Sequence, residues 1–161
     1  MPGSGKTTIG KLLAAHTKKQ FIDSDTLIEK LAKKSLQDIA NQQGYQYLRD
    51  LEENILCGLA LNGSILATGG SAIYSPAAMN HLKSQAFIIY LQCTLLSLKE
   101  RITNFTTRGL AKPKNQSLEE LYNERESLYE KYADLTIDNE AISEQDLLIK
   151  ILNHPKLTMQ L

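Results

Sequence analysis

The run Gly5-Lys6-Thr7-Thr8, leading straight into the helical spacing of Ile9, Leu12 and Leu13, constrains this chain more than any other feature. Glycine, lysine and threonine ahead of a helix form the end of the pattern G-x-x-x-x-G-K-[ST]. In that pattern an arc of main-chain N–H groups cradles phosphates at a helix N-terminus. Lys6 is a flexible point charge suited to the β- and γ-phosphates, and Thr7 offers a hydroxyl to Mg²⁺. Counting back, the first glycine of the pattern would fall just before Met1, and the strand that delivers the loop would lie further upstream. The chain is therefore expected to lack its natural N-terminus and, as written, to bind nucleotide poorly.

Beyond the loop, short apolar stretches alternate with helical ones. Phe21-Ile22 reads as a strand that stops at Asp23-Ser24-Asp25, and Leu27, Ile28 and Leu31 then mark a helix. Leu36 and Ile39 suggest a brief second helix. Leu48, Leu51, Ile55 and Leu59 mark a longer one, with Arg49 and Glu52 on other faces. Ile65-Leu66-Ala67 is a buried strand running into Thr68-Gly69-Gly70-Ser71, and Ser75-Pro76 starts a helix as cap and first residue. The clearest strand spans 87–91, uncharged, β-branched and aromatic, followed by a helix over 95–102. Residues 104–116 lack apolar periodicity and read as a mobile loop. Ser117 and Glu120 then form a capping box for a helix. A strand over 135–137 and a helix capped by Ser143 close the chain. This alternation predicts an α/β fold, a parallel sheet with helices on both faces. Four strands are visible, and the loop-to-helix start implies a fifth before Met1.

The length of 161 residues suits one domain. Lysine plus arginine equals aspartate plus glutamate at 18 each, so net charge points to neither nucleic acid nor a membrane. No apolar run approaches a membrane span, and the N-terminus carries the phosphate motif in place of a signal peptide. Cys57 and Cys93 fit no metal spacing and read as buried thiols of a soluble cytoplasmic protein, expected to act as a monomer.

Asp23 and Asp25 straddle Ser24 at the C-terminal end of a strand, where open α/β sheets bind ligands. One carboxylate can face a metal and the other a substrate hydroxyl; the alternative is that Asp25 only caps the helix beginning near Thr26. The glycines of Thr68-Gly69-Gly70-Ser71 allow close approach of a ligand and offer N–H donors to an anion.

The order of these features resembles the shikimate kinase family, small P-loop kinases. The matching segments are GSGKTTIG at 3–10, DSD at 23–25, LRDLE at 48–52, ATGGS at 67–71, RGL at 108–110 and RESLY at 125–129. The resemblance implies a three-layer P-loop kinase fold over 1–161, lacking the family's first strand, with a lid at about 104–117. It implies ATP-dependent, Mg²⁺-assisted phosphorylation of the 3-hydroxyl of shikimate, on the route to aromatic amino acids.

On that resemblance Gly3, Ser4, Gly5, Lys6, Thr7 and Thr8 would hold the ATP phosphates, and Thr7 with Asp23 (through water) the Mg²⁺. Asp25 would bind the acceptor hydroxyls and polarise the one attacked. Arg49 and Arg125 would grip the acceptor carboxylate with the turn Gly69, Gly70 and Ser71. Arg108 would neutralise charge on the transferring group, and Arg101 would lie against adenine. Paired guanidiniums suit a carboxylate. The chain departs from the family at Ser71, where a third glycine is usual, at Gly109 in place of proline, and at Gly44-Tyr45 in place of Gly-Glu. Ala40 and Leu48 stand where aromatic residues usually line the pocket. These changes are expected to loosen the acceptor pocket, and Gly109 to make the lid more mobile. They leave open a kinase for another small hydroxylated acid, and the shortened loop leaves open a nucleotide-binding remnant without catalysis.

Overall fold

The structure is a computed structural model that describes residues 1–102 and 109–158. The chain opens with the helix α1 (Lys6–Thr17), then β1 (Phe21–Asp23), α2 (Ser24–Ala32), α3 (Leu36–Gln43), α4 (Tyr45–Gly58) and β2 (Ile65–Ala67). A 3-10 turn, Ala72–Tyr74, leads to α5 (Pro76–Lys83), β3 (Ile89–Gln92) and α6 (Leu95–Arg101). After the segment 109–117 come α7 (Leu118–Tyr132), β4 (Leu135–Asp138), α8 (Glu144–Leu152) and the short α9 (Pro155–Thr158). The expected strand over 87–91 is shifted two residues. Phe87 and Ile88 lie outside the ladder because the Ile88 N–H donates to the Asp134 carboxylate and pairing starts at Ile89.

Most helix starts follow the sequence signals. Ser35, Ser75, Thr94, Ser117 and Ser143 each accept a hydrogen bond from an N–H of the turn they cap, with Pro76 placed as expected and the Ser117–Glu120 box complete. Such caps contribute about 1 kcal/mol each. The cap of α2 is Asp23, which accepts from the Thr26 N–H, so Asp25 is not the cap. α1 differs. Its N-cap is Gly5 at φ 83°, with no side-chain acceptor, and its first N–H groups are left to face the loop.

The strands form two parallel pairs. β1 lies beside β2 with Phe21 opposite Ile65, and β3 beside β4 with Ile89 opposite Leu135. Between the pairs lies a cavity of about 630 Å³, lined by β2, by Ile88, Ile89 and Leu91, and by Ile9, Gly10 and Leu13 of α1; Lys6 also reaches it. Among the described residues there are four strands, with a break between the pairs near the loop at 3–6, as the sequence led one to expect. One apolar cluster joins α1, β3, β4 and α8 through Ile9, Leu91, Ile137 and Ile151. A second joins α4, α5 and α7 through Leu56, Met79 and Tyr132, and a third joins α2, α3 and α4 to Ala111 through Ile28, Ile39 and Leu48. Cys93 is buried as expected, whereas Cys57 is half-buried; both are free thiols. Among the described residues no helix is long and apolar enough to cross a membrane.

Candidate functional site

The loop before α1 is built on two glycines at positive φ, Gly3 at 76° and Gly5 at 83°. At Gly3 a Cβ would also come within 2.6 Å of Ile102 Cγ1, so only glycine fits there. Ser4 is buried, and its hydroxyl donates to the Met1 carbonyl at 2.9 Å. From across the molecule Asn139 Nδ2 donates to the Ser4 carbonyl at 2.9 Å, tying the loop to the end of β4. Lys6 folds back so that Nζ donates to the Met1 carbonyl at 2.6 Å. The loop thus holds its curvature through its own backbone acceptors.

A polar cavity of about 270 Å³ opens at this loop. Gly3, Gly5, Lys6, Thr7, Thr8, Asp23 and Asp25 line one part of it, and Glu52, Gly70, Ser71, Ala111 and Arg125 another. Donor-side and acceptor-side residues predicted from separate segments therefore share one space. The Thr7 hydroxyl donates to Asp23 Oδ2 at 2.9 Å. Hydroxyl and carboxylate oxygens held side by side at a phosphate loop are a hard-oxygen donor set that fits Mg²⁺.

Arg125 is 1% exposed. Its Nε donates to the Tyr74 hydroxyl at 3.1 Å and Nη2 to the Ala111 carbonyl at 3.2 Å. Among the described residues no carboxylate lies within ion-pair distance of it. A buried cation satisfied only by neutral oxygens is costly unless an anion joins it. Arg49 reaches the same Ala111 oxygen, at 3.2 Å from Nε and 3.1 Å from Nη2. The two guanidiniums therefore converge on one carbonyl, although Arg49 does not itself line the cavity.

The glycine turn plays a role different from the one expected at its first position. The Gly69 N–H is taken by Ser24 Oγ at 2.7 Å, so it is not a donor for a ligand. Its missing side chain matters instead, since a Cβ there would collide with the Glu52 and Asp25 carboxyls. At Gly70 a Cβ would stand 2.8 Å from Arg125 Nη1. The Ser71 hydroxyl donates to Glu52 Oε2, so the serine in place of a third glycine is pinned in position.

Glu52, expected on a face of its helix other than the apolar one, is 2% exposed, and Oε1 has no partner among the described residues. Burial pushes its carboxyl up to about 7, with Asp25 adding to the rise and the Ser71 hydrogen bond, Arg125 and Lys6 opposing it. Sequence reading missed this residue. Its signal was the position three residues after Arg49, one turn along the same helix.

Arg101 sits at the end of the β3–β4 pair, donating to the Asn139 carbonyl at 3.0 Å and to Cys93 Sγ at 3.2 Å. Asn139 is the residue that holds Ser4, so Arg101 is one contact removed from the loop. Arg108 lies outside the described residues, as does most of the first half of the expected lid. Gly109 is buried at φ 55°, and its N–H donates to Gln37 Oε1. A Cβ there would meet the Gln37 backbone nitrogen at 2.5 Å. The glycine is required by that packing.

Known proteins similar to this chain fall in one family. The family model described as shikimate kinase matches residues 2–155. A shikimate kinase of Thiobacillus denitrificans is 40% identical over 139 residues, covering 84% of this chain and 76% of that protein. One from Francisella tularensis subsp. novicida is 35% identical over 153 residues, covering 92% and 87%. The solved structure of the Acinetobacter baumannii enzyme in complex with shikimate superposes with a TM-score of 0.86 at 31% identity, covering 99% of this chain and 90% of that one.

Proposed function

The chain belongs to the shikimate kinase family, and on that premise we propose that it transfers the γ-phosphoryl group of ATP to the 3-hydroxyl of shikimate. This is a cytoplasmic step toward the aromatic amino acids, carried out by 1–161 as one monomeric kinase domain with its lid at about 104–117. The observation that carries the reading is Arg125, a buried guanidinium with only neutral acceptors among the described residues, facing a cavity that begins at a phosphate loop. Such a site favours an acceptor bearing a carboxylate.

In this reading Gly3, Ser4, Gly5, Lys6, Thr7 and Thr8 bind the nucleotide phosphates. Thr7 and Asp23 hold Mg²⁺, which when bound neutralises charge on the phosphoryl oxygens. Arg49, Arg125 and the N–H groups of Gly70 and Ser71 fix the acceptor carboxylate. The ring then presents its hydroxyl to Asp25. As the new O–P bond forms and the bond to ADP breaks, the hydroxyl proton passes to the Asp25 carboxylate. Arg108 balances charge on the phosphoryl group in flight, and Arg101 packs against adenine. Little covalent chemistry is asked of the protein; positioning and electrostatics carry the rate.

The test is ADP release measured with and without shikimate, and with a hydroxylated acid of different ring geometry. Shikimate-dependent turnover is the expected outcome. Turnover with the other acid alone would move the reading to another acceptor, and nucleotide binding without turnover would mark the chain as a remnant.

A further inference from the structure

Arg49 and Arg125 donate to one carbonyl oxygen, yet like charges brought so close repel each other. The side chain that meets both of them is Tyr74, at the end of the 3-10 turn that follows Ser71. The Arg49 guanidinium carbon lies 3.7 Å from the Tyr74 ring centroid, and that of Arg125 lies 5.1 Å from it. An aromatic face attracts a cation through its quadrupole, so a ring shared by two guanidiniums offsets part of their repulsion. The Tyr74 hydroxyl is engaged on both sides. It accepts from Arg125 Nε at 3.1 Å and donates to Glu124 Oε1, whose other oxygen accepts from Gln116 Nε2. Tyr45 backs Arg49 from another direction, 5.1 Å from its guanidinium carbon.

We propose that Tyr74 is a positioning residue for acceptor recognition, its ring and hydroxyl holding Arg49 and Arg125 as a two-armed clamp for a single carboxylate. The assignment of the clamp to the acceptor rests on the function proposed above. The charge arithmetic favours a monocarboxylate. Among the groups that touch Tyr74, two guanidiniums and the Glu124 carboxylate sum to one positive charge, which one carboxylate balances. The Tyr74 hydrogen bond, first among several influences, holds the Glu124 carboxyl below its usual range, so the anion persists at neutral pH. Tyr74 does not line the reacting cavity, and its effect passes through the arginines.

The experiment compares the wild-type protein with Tyr74→Phe and Tyr74→Leu, using shikimate and its methyl ester as acceptors. Tyr74→Leu removes ring and hydroxyl. It is expected to raise the acceptor KM about tenfold and to shrink the preference for acid over ester by a similar factor. Its kcat and ATP KM should stay within about twofold, a split that general loosening of the fold would not produce. Tyr74→Phe keeps the ring, and its acceptor KM should rise only about threefold. A second readout needs no turnover. The Arg49 and Arg125 side-chain Nε–H resonances should both shift in Tyr74→Leu, and mainly that of Arg125 in Tyr74→Phe. A wild-type acceptor KM, acid-to-ester preference and resonance pattern in Tyr74→Leu overturns the proposal. If that variant does not fold, an unmoved Arg125 resonance in Tyr74→Phe overturns it alone. A wild-type protein that ignores shikimate overturns the proposed function instead, and the resonances still decide whether Tyr74 organises the arginines.

Discussion

The cavity at the N-terminus of α1 measures about 270 Å³ and is walled by carboxylates, hydroxyls, a buried guanidinium and glycine backbone. The cavity between β2 and β3 measures about 630 Å³ and is walled largely by aliphatic side chains and by the facing strands of two separate pairs. Around the first, distant segments are tied to one another: Ser24 to Gly69, Glu52 to Ser71, Arg125 to Ala111 and Asn139 to Ser4. Around the second, each strand pair closes on its own partner and no ladder bond crosses between β2 and β3. The site therefore takes its geometry from side-chain hydrogen bonds between separate segments, which persist where the sheet is interrupted. Sheet continuity governs a different quantity, the stability of the core beneath the site.

That separation can be broken most directly at Asp25. If the polar cavity is a reaction site whose chemistry is independent of the break in the sheet, Asp25→Asn should lower kcat by about 10²–10⁴. Its melting temperature should stay near that of the wild type. A calorimetric scan beside the coupled assay checks both, and a loss of activity matched by a loss of fold would make the two regions one.

A smaller effect is expected from Glu52. Its folded-state value of about 7 lies above the ordinary 4.5, so the folded protein holds a proton there that the unfolded chain releases first. The associated stability is fully present below pH 4.5 and is lost as pH rises through 7. At about 1.4 kcal/mol per unit the loss amounts to about 3 kcal/mol. Urea unfolding at pH 5 and pH 8 should reveal the slope, and Glu52→Gln should flatten it. An unchanged slope in the glutamine variant would place the proton elsewhere.

The smallest effect belongs to the apolar cavity. Ala67 on β2 borders it and is 5% exposed. Valine there would bury two further carbons at about 0.8 kcal/mol each and favour the extended backbone. A gain of about 1 kcal/mol corresponds to a rise of about 2–4 °C in melting temperature for a chain of this size. A fall instead would indicate that β2 and β3 close against each other in solution and leave no room for the added methyls.

Much of the fold was legible because its signals are local. The Ser75 and Ser143 caps, Pro76 after Ser75, and the Ser117–Glu120 box each act within one turn of chain. The phosphate loop, Thr7 with Asp23, and the arginine pair were legible as motifs, and the structure brings their segments to one place. Three features were not legible. Helical periodicity put Glu52 on a face away from the apolar one, but that face meets Ser71 and the Gly69 backbone, nineteen residues further along in the case of Ser71. Gly109 read as freedom, yet its conformation is dictated by the backbone of α3. Tyr74 matched no motif because its partners, Arg49, Glu124 and Arg125, lie on two helices that only the packed chain brings together.

What the sequence determined by itself, then, is most of the elements, their order and the phosphate-loop part of the site, since capping, periodicity and loop conformation depend on neighbours a few residues away. Only the tertiary structure decided which polar groups share a buried space. Arg49 meets the Ala111 carbonyl across 62 residues of chain and Arg125 meets Tyr74 across 51. Burial and charge are properties of that shared space. The loss of water pushes the Glu52 carboxyl up to about 7 and encloses the Arg125 guanidinium among neutral acceptors, and neither condition exists until the segments have packed.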